Sequence, residues 1–246
     1  MKTELTKYQK QHVEYVKNKV AKALMDYKMV SKGDKILAAV SGGKDSLVML
    51  EALVAVRHFD FIDFELEALH IDIKDVPYSV DKDFLIEFCK KLGVKINFVS
   101  LEADIEDRGK KSPCFVCSWN RRKALFNFAN DNGFQQLALG HHLDDAVETL
   151  MINMAYHGNI ASMPGKLNMF DGTFQLIRPL ILLTNKDTSE FANIRNYSAL
   201  KQACPFEDTT KRTTARELIQ QLESIHPKAR LNLFKSMGNI DTEYLP

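Results

Sequence analysis

A glycine-rich segment between a short apolar run and a helical pattern constrains the fold of this chain more than any other feature. Residues Lys35 to Val40 predict a buried strand, and the segment from Ser41 to Ser46 reads Ser-Gly-Gly-Lys-Asp-Ser. A helical pattern then continues through Arg57. The glycines let backbone N–H groups approach an anion closely, and the helix beyond them offers its positive N-terminal end. Strand, turn and helix together predict a binding site for phosphate. The glycines and the lysine of this segment are spaced differently from those of the Walker loop, Gly-x-x-x-x-Gly-Lys-Ser/Thr.

The alternation of strand and helix continues and predicts the fold class. We expect an α/β fold, a doubly wound and mainly parallel sheet with helices on both faces, because strands that alternate with helices of this length are joined by right-handed crossovers. The later strands are predicted at Phe64 to Asp72, Lys95 to Leu101, Gln136 to Leu139 and a last extended segment ending at Arg178. The helices between them are predicted at Val80 to Leu92, Asn120 to Asn132 and Leu143 to Tyr156.

Segments on either side of this region predict two appendages. Residues 1–32 carry apolar side chains at helical spacing, among them Val13, Val16 and Val20, which predicts an amphipathic helix packed on the core. Residues 33–185 are predicted to form the main domain. Residues 186–246 predict a C-terminal helical extension with helices at Lys186 to Asn196, Lys211 to His226 and Ala229 to Met237.

Composition fits one globular core and excludes several classes of protein. The chain has 246 residues, of which 45% are hydrophobic and 26% charged. Its longest nearly apolar run, Leu47 to Val56, is about half of the roughly 20 residues that cross a membrane, and its start lacks the apolar stretch of a secretory signal. We therefore expect a cytoplasmic protein without a membrane partner.

The net charge of +1 conceals two basic regions. Residues 1–35 carry nine Lys and four acidic residues, and residues 105–125 carry six Lys or Arg and two acidic residues, which gives +5 and +4. Such a surplus suits a nucleic-acid backbone. A solvated helix face explains the N-terminal stretch equally well.

Four cysteines in a reducing compartment argue against a disulfide scaffold and leave metal binding, redox chemistry or packing as their uses. Cys114 and Cys117 form a Cys-x-x-Cys pair, and Cys204 lies far downstream. Three thiolates can attach an iron–sulfur cluster, whereas zinc with a fourth ligand and a redox-active dithiol stay as alternatives. Cys89 lies on an apolar helix face, which predicts core packing.

The glycine-rich segment resembles the PP-loop of the adenylating ATP pyrophosphatases. Further blocks resemble one branch of that family, the tRNA 2-thiocytidine synthetases, over most of the chain. In chain order, the blocks are Ser41 to Ser46, His70 to Asp72, Pro113 to Ser118 with Arg121 and Arg122, Leu139 to Asp145, Ala161 to Pro164 and Ile177 to Leu180. The resemblance implies ATP-dependent thiolation of tRNA. A pyrimidine carbonyl, expected in a cytidine of the anticodon loop, would be adenylated and its oxygen replaced by sulfur.

The resemblance also implies where the nucleotide and metals bind. Residues 33–185 become the ATP-binding catalytic domain, in which Lys44, Asp45, Asp145 and Arg178 are the expected catalytic residues. Asp45 and Asp145 are also candidate Mg²⁺ ligands, because hard cations take oxygen ligands and bridge phosphates. Helix capping is the alternative role of Asp145. The expected ATP-binding residues are Ala39, Val40, Ser41, Gly42, Gly43, Lys44, Asp45, Ser46, His70, Asp72, Gly140 and His141.

The cysteine pair is expected to lie beside both sulfur and RNA. The resemblance implies a 4Fe-4S cluster held by Cys114, Cys117 and Cys204, with a fourth iron free to carry sulfur. Trp119 is a candidate for stacking a base, with core packing as the alternative. The RNA-contacting cations are expected to begin the helix after the pair, where positive charge opposes the helix dipole and favours an anionic partner. These cations are Arg121, Arg122 and Lys123.

Several alternatives stay open at this point. The sulfur donor is expected to be sulfide or the persulfide of a cysteine desulfurase, and a homodimer is compatible with the sequence. Another PP-loop tRNA-modifying or amidating ligase needs no cysteines, and a thiolase with a persulfide and disulfide cycle between Cys117 and Cys204 needs no iron. Outside enzymes, the alternative is a nucleotide-binding iron–sulfur redox sensor.

Overall fold

The structure, a computed structural model, describes residues 4–57, 59, 62–74, 80–102, 113–197 and 211–244, without the side chains of residues 113 and 114. Strands β1, β2 and β3 come from the first half of the described chain, and β4, β5 and β6 from the second. Their bounds are β1 Asp34–Ala39, β2 Phe64–Ile73, β3 Lys95–Leu101, β4 Gln136–Ala138, β5 Lys166–Met169 and β6 Phe174–Ile177.

These strands form one sheet in the order β3-β2-β1-β4-β6-β5. All neighbouring pairs are parallel except β5 and β6, which are antiparallel. At the centre, Ala38 of β1 aligns with Ala68 of β2 on one side and with Ala138 of β4 on the other. The order changes direction at β1, so the strand that precedes the glycine-rich segment stands at the centre, where such sheets bind ligands.

Eight α-helices surround the sheet within the described residues. Ile36 and Leu37 of β1 belong to different apolar clusters because successive strand residues point to opposite faces of a sheet. The predicted doubly wound α/β fold is confirmed. The helices are α1 Lys7–Asp26, α2 Lys44–Val56, α3 Lys82–Leu92, α4 Pro113–Asp131, α5 Leu143–His157, α6 Asn185–Ile194, α7 Lys211–Ile225 and α8 Ala229–Ser236.

Helix α1 buries the apolar face that the sequence predicts. A capping box between Thr6 and Gln9 begins the helix, and Val16 and Val20 are fully buried in the cluster that also contains α2 and α6 residues. The Nε2 atom of His12 lies 3.0 Å from the backbone oxygen of Asp187 in α6. Helix α1 therefore supports the two helices that carry the residues around the glycine-rich segment.

Two predictions of secondary structure were wrong. Helix α4 begins at Pro113 and not at Asn120, because proline suits the first helical position, where its missing N–H costs nothing. Arg121 therefore lies about two turns inside the helix, so the charges of Arg121, Arg122 and Lys123 do not oppose the positive end of the helix dipole as predicted. Strand β5 was also missed, since its four residues lie on the sheet edge with largely exposed side chains.

The structure describes no α-helix that is both long and apolar enough to cross a bilayer.

Candidate active site

The glycine-rich segment forms a tight turn between β1 and α2. Gly42 has a φ of +88°, a conformation that disfavours side chains. The Gly43 N–H donates to the Ser41 hydroxyl over 3.3 Å, and the Ser46 hydroxyl donates to the Gly43 carbonyl over 2.7 Å. Gly43 has no side chain to cap α2, which leaves the first N–H groups of this helix for an anion.

Gly140 at the end of β4 packs against the first turn of α2. A Cβ atom at this position would lie 3.1 Å from the Asp45 carbonyl carbon and 3.1 Å from the Ser46 nitrogen. Glycine therefore lets the segment after β4 approach the first turn of α2 this closely. The segment after β4 therefore lies directly beside the glycine-rich segment.

The side chains of Lys44 and Asp45 are held by the N-terminal turn of α6. The Lys44 ammonium donates to Asp45 Oδ1 over 2.7 Å and to Asn185 Oδ1 over 2.7 Å. Thr188, which is fully buried, donates to the same Asp45 oxygen over 2.6 Å. Thr188 lies in the predicted C-terminal extension and Asn185 is the last residue of the predicted main domain, and sequence reasoning missed both.

His142 stands between the two candidate magnesium ligands. Asp145 accepts the His142 backbone N–H over 2.9 Å, and the Asp145 N–H donates to Nδ1 of the same imidazole over 3.4 Å, which completes a capping box at the start of α5. The other ring nitrogen, Nε2, lies 4.0 Å from Asp45 Oδ2. Asp45 and Asp145 therefore flank one imidazole ring. The described residues contain no preformed cluster of three or more metal-ligating side chains.

Charge and burial tune the groups around Asp145. Burial opposes its ionisation, but the charge and backbone N–H of His142 and the charge of Arg212 outweigh burial and lower the pKa of this carboxyl. Burial lowers the pKa of His141 to about 4, so its ring is neutral at physiological pH. The Nδ1 atom of His141 is buried without a hydrogen-bond partner among the described residues. An uncharged polar ring here suits contact with a nucleotide.

Arg178 is a buried cation at the end of β6. It donates through one terminal nitrogen to the Pro164 carbonyl over 2.6 Å, and its Nε is buried without a partner among the described residues. Burial lowers the pKa of Arg178, the nearby charge of Arg122 lowers it further, and Asp145 opposes both. One terminal nitrogen of the guanidinium thus has a hydrogen-bond partner and Nε has none among the described residues. The charges of Asp145 and of Arg122 in α4 both act on this guanidinium.

His70 and Asp72 lie near the carboxyl end of β2, the strand next to β1. His70 is buried, and its Nδ1 donates to the Val40 carbonyl over 2.7 Å, which fixes the residue just before the glycine-rich segment. Burial lowers the pKa of His70, and the charge of Arg121 contributes to this. Asp72 accepts from Lys82 over 2.6 Å, and this hydrogen bond lowers the pKa of the carboxyl.

Helix α4, which carries the cysteine pair, packs on the face of the sheet opposite to α2. Cys117 is half-buried and packs against the cluster that contains Leu37 of β1 and Leu69 of β2. Cys204 and the side chain of Cys114 lie outside the described residues. A common cavity for all three thiolates therefore stays a prediction.

An aromatic pair stands beside Cys117. Trp119 is 58% exposed and stacks on Phe115, itself 49% exposed, with ring centroids 6.4 Å apart and planes 7° apart. Core packing of Trp119 was therefore the wrong alternative. Arg122 is exposed, and Lys123 borders a surface cavity of about 370 Å³ between β3 and α4.

The C-terminal helices place three arginines on the acidic start of α5, and sequence reasoning missed them. Arg216 pairs with the buried Glu148 over 2.9 Å. One signal was available, because a carboxylate inside an otherwise apolar helical pattern needs a cation. Two further pairs, over 3.1 and 2.6 Å, join Arg212 to Asp145 and Arg230 to Asp144.

The fold and the loop define a class of protein. A glycine turn that presents N–H groups at the central strand of a doubly wound sheet is a nucleotide site of the PP-loop type, and the sequence profile of the PP-loop domain family matches residues 9–224. The solved structure of the U34-tRNA thiolase NcsA from Methanococcus maripaludis with its 4Fe-4S cluster is similar, with a TM-score of 0.75, 23% identity, and coverage of 97% of this chain and 81% of that one.

Curated relatives narrow the class further. The chain is 32% identical to the tRNA-cytidine(32) 2-sulfurtransferase of Marinobacter nauticus, over 99% of this chain and 80% of that protein. It is 34% identical to the enzyme of the same name from Alcanivorax borkumensis, over 97% of this chain and 84% of that protein. The chain therefore belongs to the PP-loop domain family and, within it, to the tRNA-cytidine(32) 2-sulfurtransferases.

Proposed function

We propose that this protein activates the 2-carbonyl of a tRNA cytidine with ATP and replaces the oxygen with sulfur. The observation that carries the proposal is that two features share the central strand of the sheet. The anion-binding turn ends the central strand, and α4, which carries Cys117, packs on that strand and its neighbour β2. Family membership supports the substrate, a tRNA cytidine.

Adenylation comes first because the carbonyl oxygen is a poor leaving group. The oxygen attacks the α-phosphate of ATP, the bond between the α and β phosphates breaks, and pyrophosphate departs. The N–H groups of the Ser41 to Ser46 turn and the Lys44 ammonium stabilise the charge that develops on pyrophosphate. We assign Arg178 to the same task, since its buried guanidinium retains an unpartnered nitrogen among the described residues.

Sulfur transfer completes the reaction. Hydrosulfide attacks the activated carbon, the carbon–oxygen bond breaks, and AMP leaves with the oxygen. We propose that the hydrosulfide comes from sulfide, or from the persulfide of a cysteine desulfurase together with a thiol that breaks the S–S bond, releases hydrosulfide and is itself oxidised to a disulfide. Where a 4Fe-4S cluster is bound, Cys114, Cys117 and Cys204 would hold it, and it would supply an iron to which sulfur can bind.

We propose Asp45 of the loop and Asp145 of α5 as ligands of Mg²⁺. A magnesium ion takes one or two protein carboxylates together with phosphate oxygens. Asp45 and Asp145 lie on either side of His142 and are each fixed by hydrogen bonds, which supports them as ligands that complete their coordination with ATP.

We propose that the nucleotide and RNA contacts lie at the carboxyl ends of the parallel strands and on α4. We assign ATP contacts to the ends of β1, β2 and β4, where Gly140 backs the loop and His141 presents a neutral ring. We assign stacking of an unpaired base to Trp119 and phosphate contacts to Arg121, Arg122 and Lys123. We also propose that residues 33–185 form the catalytic domain between appendages at 1–32 and 186–246. Because tRNA is the substrate, we propose a cytoplasmic location.

The test supplies the protein, reconstituted anaerobically with iron and sulfide, with ATP, Mg²⁺, sulfide and a tRNA transcript. We expect tRNA-dependent release of pyrophosphate and a 2-thiocytidine nucleoside in the digested RNA by mass spectrometry. The matched control is a transcript whose anticodon-loop cytidines are replaced by uridine. A contrary result is that the protein releases pyrophosphate but forms no thiolated nucleoside with either sulfide or a persulfide donor. That result would favour a different PP-loop ligase. Full activity of iron-free protein with a persulfide donor would show that the sulfur passes through the persulfide and disulfide cycle between Cys117 and Cys204.

A further inference from the structure

We propose that Thr188 of α6 is a positioning residue that sets the Lys44 ammonium and the Asp45 carboxylate at the pyrophosphate loop. The inference deepens the proposed function and rests on it. The Thr188 side chain is fully buried, and its Oγ1 lies 2.6 Å from Asp45 Oδ1 and 3.1 Å from Lys44 Nζ. It is thus bonded to both charged residues of the loop at once.

The Thr188 hydroxyl is directed toward the loop and not into its own helix. It has a single proton and two acceptors in reach, Asp45 Oδ1 at 2.6 Å and the Asn185 carbonyl at 3.1 Å. A carboxylate accepts a stronger and shorter hydrogen bond than a neutral carbonyl. The usual bond from a helical threonine to its own preceding turn is therefore the weaker of the two.

Lys44 is fully engaged by the same arrangement. An ammonium has three donors, and Nζ has three acceptors, namely Asp45 Oδ1 at 2.7 Å, Asn185 Oδ1 at 2.7 Å and Thr188 Oγ1 at 3.1 Å. Lysine side chains are flexible, so a fixed ammonium requires such partners. Two of the three come from the first turn of α6.

The first turn of α6 is itself rigidly placed. Thr184 and Asp187 form a capping box, and the Asn185 N–H donates to Asp144 Oδ2 over 2.8 Å. Asp144 is in turn paired with Arg230 over 2.6 Å. The position of Thr188 is therefore fixed by α5 and α8, which holds the Lys44 ammonium and the Asp45 carboxylate in place before ATP binds.

The experiment compares Thr188→Val with Thr188→Ser in the full-length, reconstituted protein. Valine keeps the shape and removes the hydroxyl, while serine restores it. Thr149→Val is the matched control, because Thr149 Oγ1 is buried without a hydrogen-bond partner among the described residues. We expect Thr188→Val to lower kcat for tRNA-dependent pyrophosphate release by about tenfold or more, with KM for tRNA unchanged. Thr188→Ser should recover most of that loss, and Thr149→Val should match the wild type.

Wild-type kcat in Thr188→Val, or a serine variant as impaired as the valine variant, would overturn the inference. If Thr188→Val does not fold, Thr188→Ala is compared with Thr188→Ser in the same way. ATP binding measured by calorimetry without tRNA separates this inference from the proposed function. Weaker binding in Thr188→Val supports the positioning role even if the wild type thiolates no RNA, and equal binding with equal kcat contradicts it.

Discussion

The two sides of the candidate site are built differently. On the pyrophosphate side, Lys44, Asp45 and the buried Thr188 are joined by hydrogen bonds of 2.6 to 3.1 Å. On the side of α4, Trp119 and Phe115 expose 58% and 49% of their surface. The first side is ordered by the fold itself and suits the stabilisation of developing charge. The second presents aromatic surface and cations, which suits a large single-stranded substrate that supplies its own contacts.

Removal of the Asp45 carboxylate should give the largest effect. Asp45→Ala deletes the acceptor shared by Lys44 and Thr188 and a proposed Mg²⁺ ligand. We expect pyrophosphate release to fall by at least about a hundredfold, with the far-ultraviolet spectrum and Tm preserved.

Asp83→Ala is the matched control for this experiment. Asp83 occupies the same second position of a helix as Asp45, also follows a lysine, and is exposed in α3. It should leave turnover unchanged. An active Asp45→Ala variant would show that Asp45 has no role in the mechanism. It would also contradict the view that hydrogen bonds to Asp45 preorganise the pyrophosphate side.

The link between α7 and α5 tests whether the ordered side extends into the C-terminal helices. Arg216→Ala leaves the buried Glu148 carboxylate with Arg212 alone, at 3.8 Å. We expect a loss of about 1–3 kcal/mol in the free energy of unfolding by urea, because a buried acceptor loses its partner. In a Glu148→Gln background, the same arginine change should cost less. Equal costs in both backgrounds would show that the ion pair does not carry the stabilisation.

Changes to the exposed side, at α4, should alter the affinity for tRNA and leave the affinity for ATP unchanged. Trp119→Ala removes a stacking surface worth about 1–3 kcal/mol per base, so the Kd for tRNA should rise by about tenfold. The affinity for ATP should stay unchanged in calorimetry. Tyr244→Ala, which removes another exposed aromatic ring, is the control. An unchanged Kd for tRNA would assign the aromatic pair a different role.

The difference between the sides also explains what the sequence could predict. The strand before the glycine-rich segment and the helix after it follow from local patterns, and the predicted bounds of β1 and the predicted end of α2 agree with the structure to within one residue. Thr188 could not be found this way, because its contact with Asp45 spans 143 positions and depends on how α6 packs. The start of α4 was misplaced because the helix was expected to begin after the cysteine pair, although Pro113 is favourable at the first helical position.

Cys89 should give the smallest effect. It lies in α3, fully buried in the cluster on the α2 side of the sheet, and burial raises the pKa of its thiol to about 11. At pH 8, about one thiol in a thousand is then ionised, and the thiolate is the reactive form. We therefore expect iodoacetamide to leave Cys89 unmodified in the native protein and to modify it after denaturation, as read by peptide mass spectrometry. Cys89→Ala should retain thiolation. Rapid alkylation of native Cys89 would mean that the α2 side of the sheet opens readily. The α2 side would then not be more ordered than the exposed α4 side.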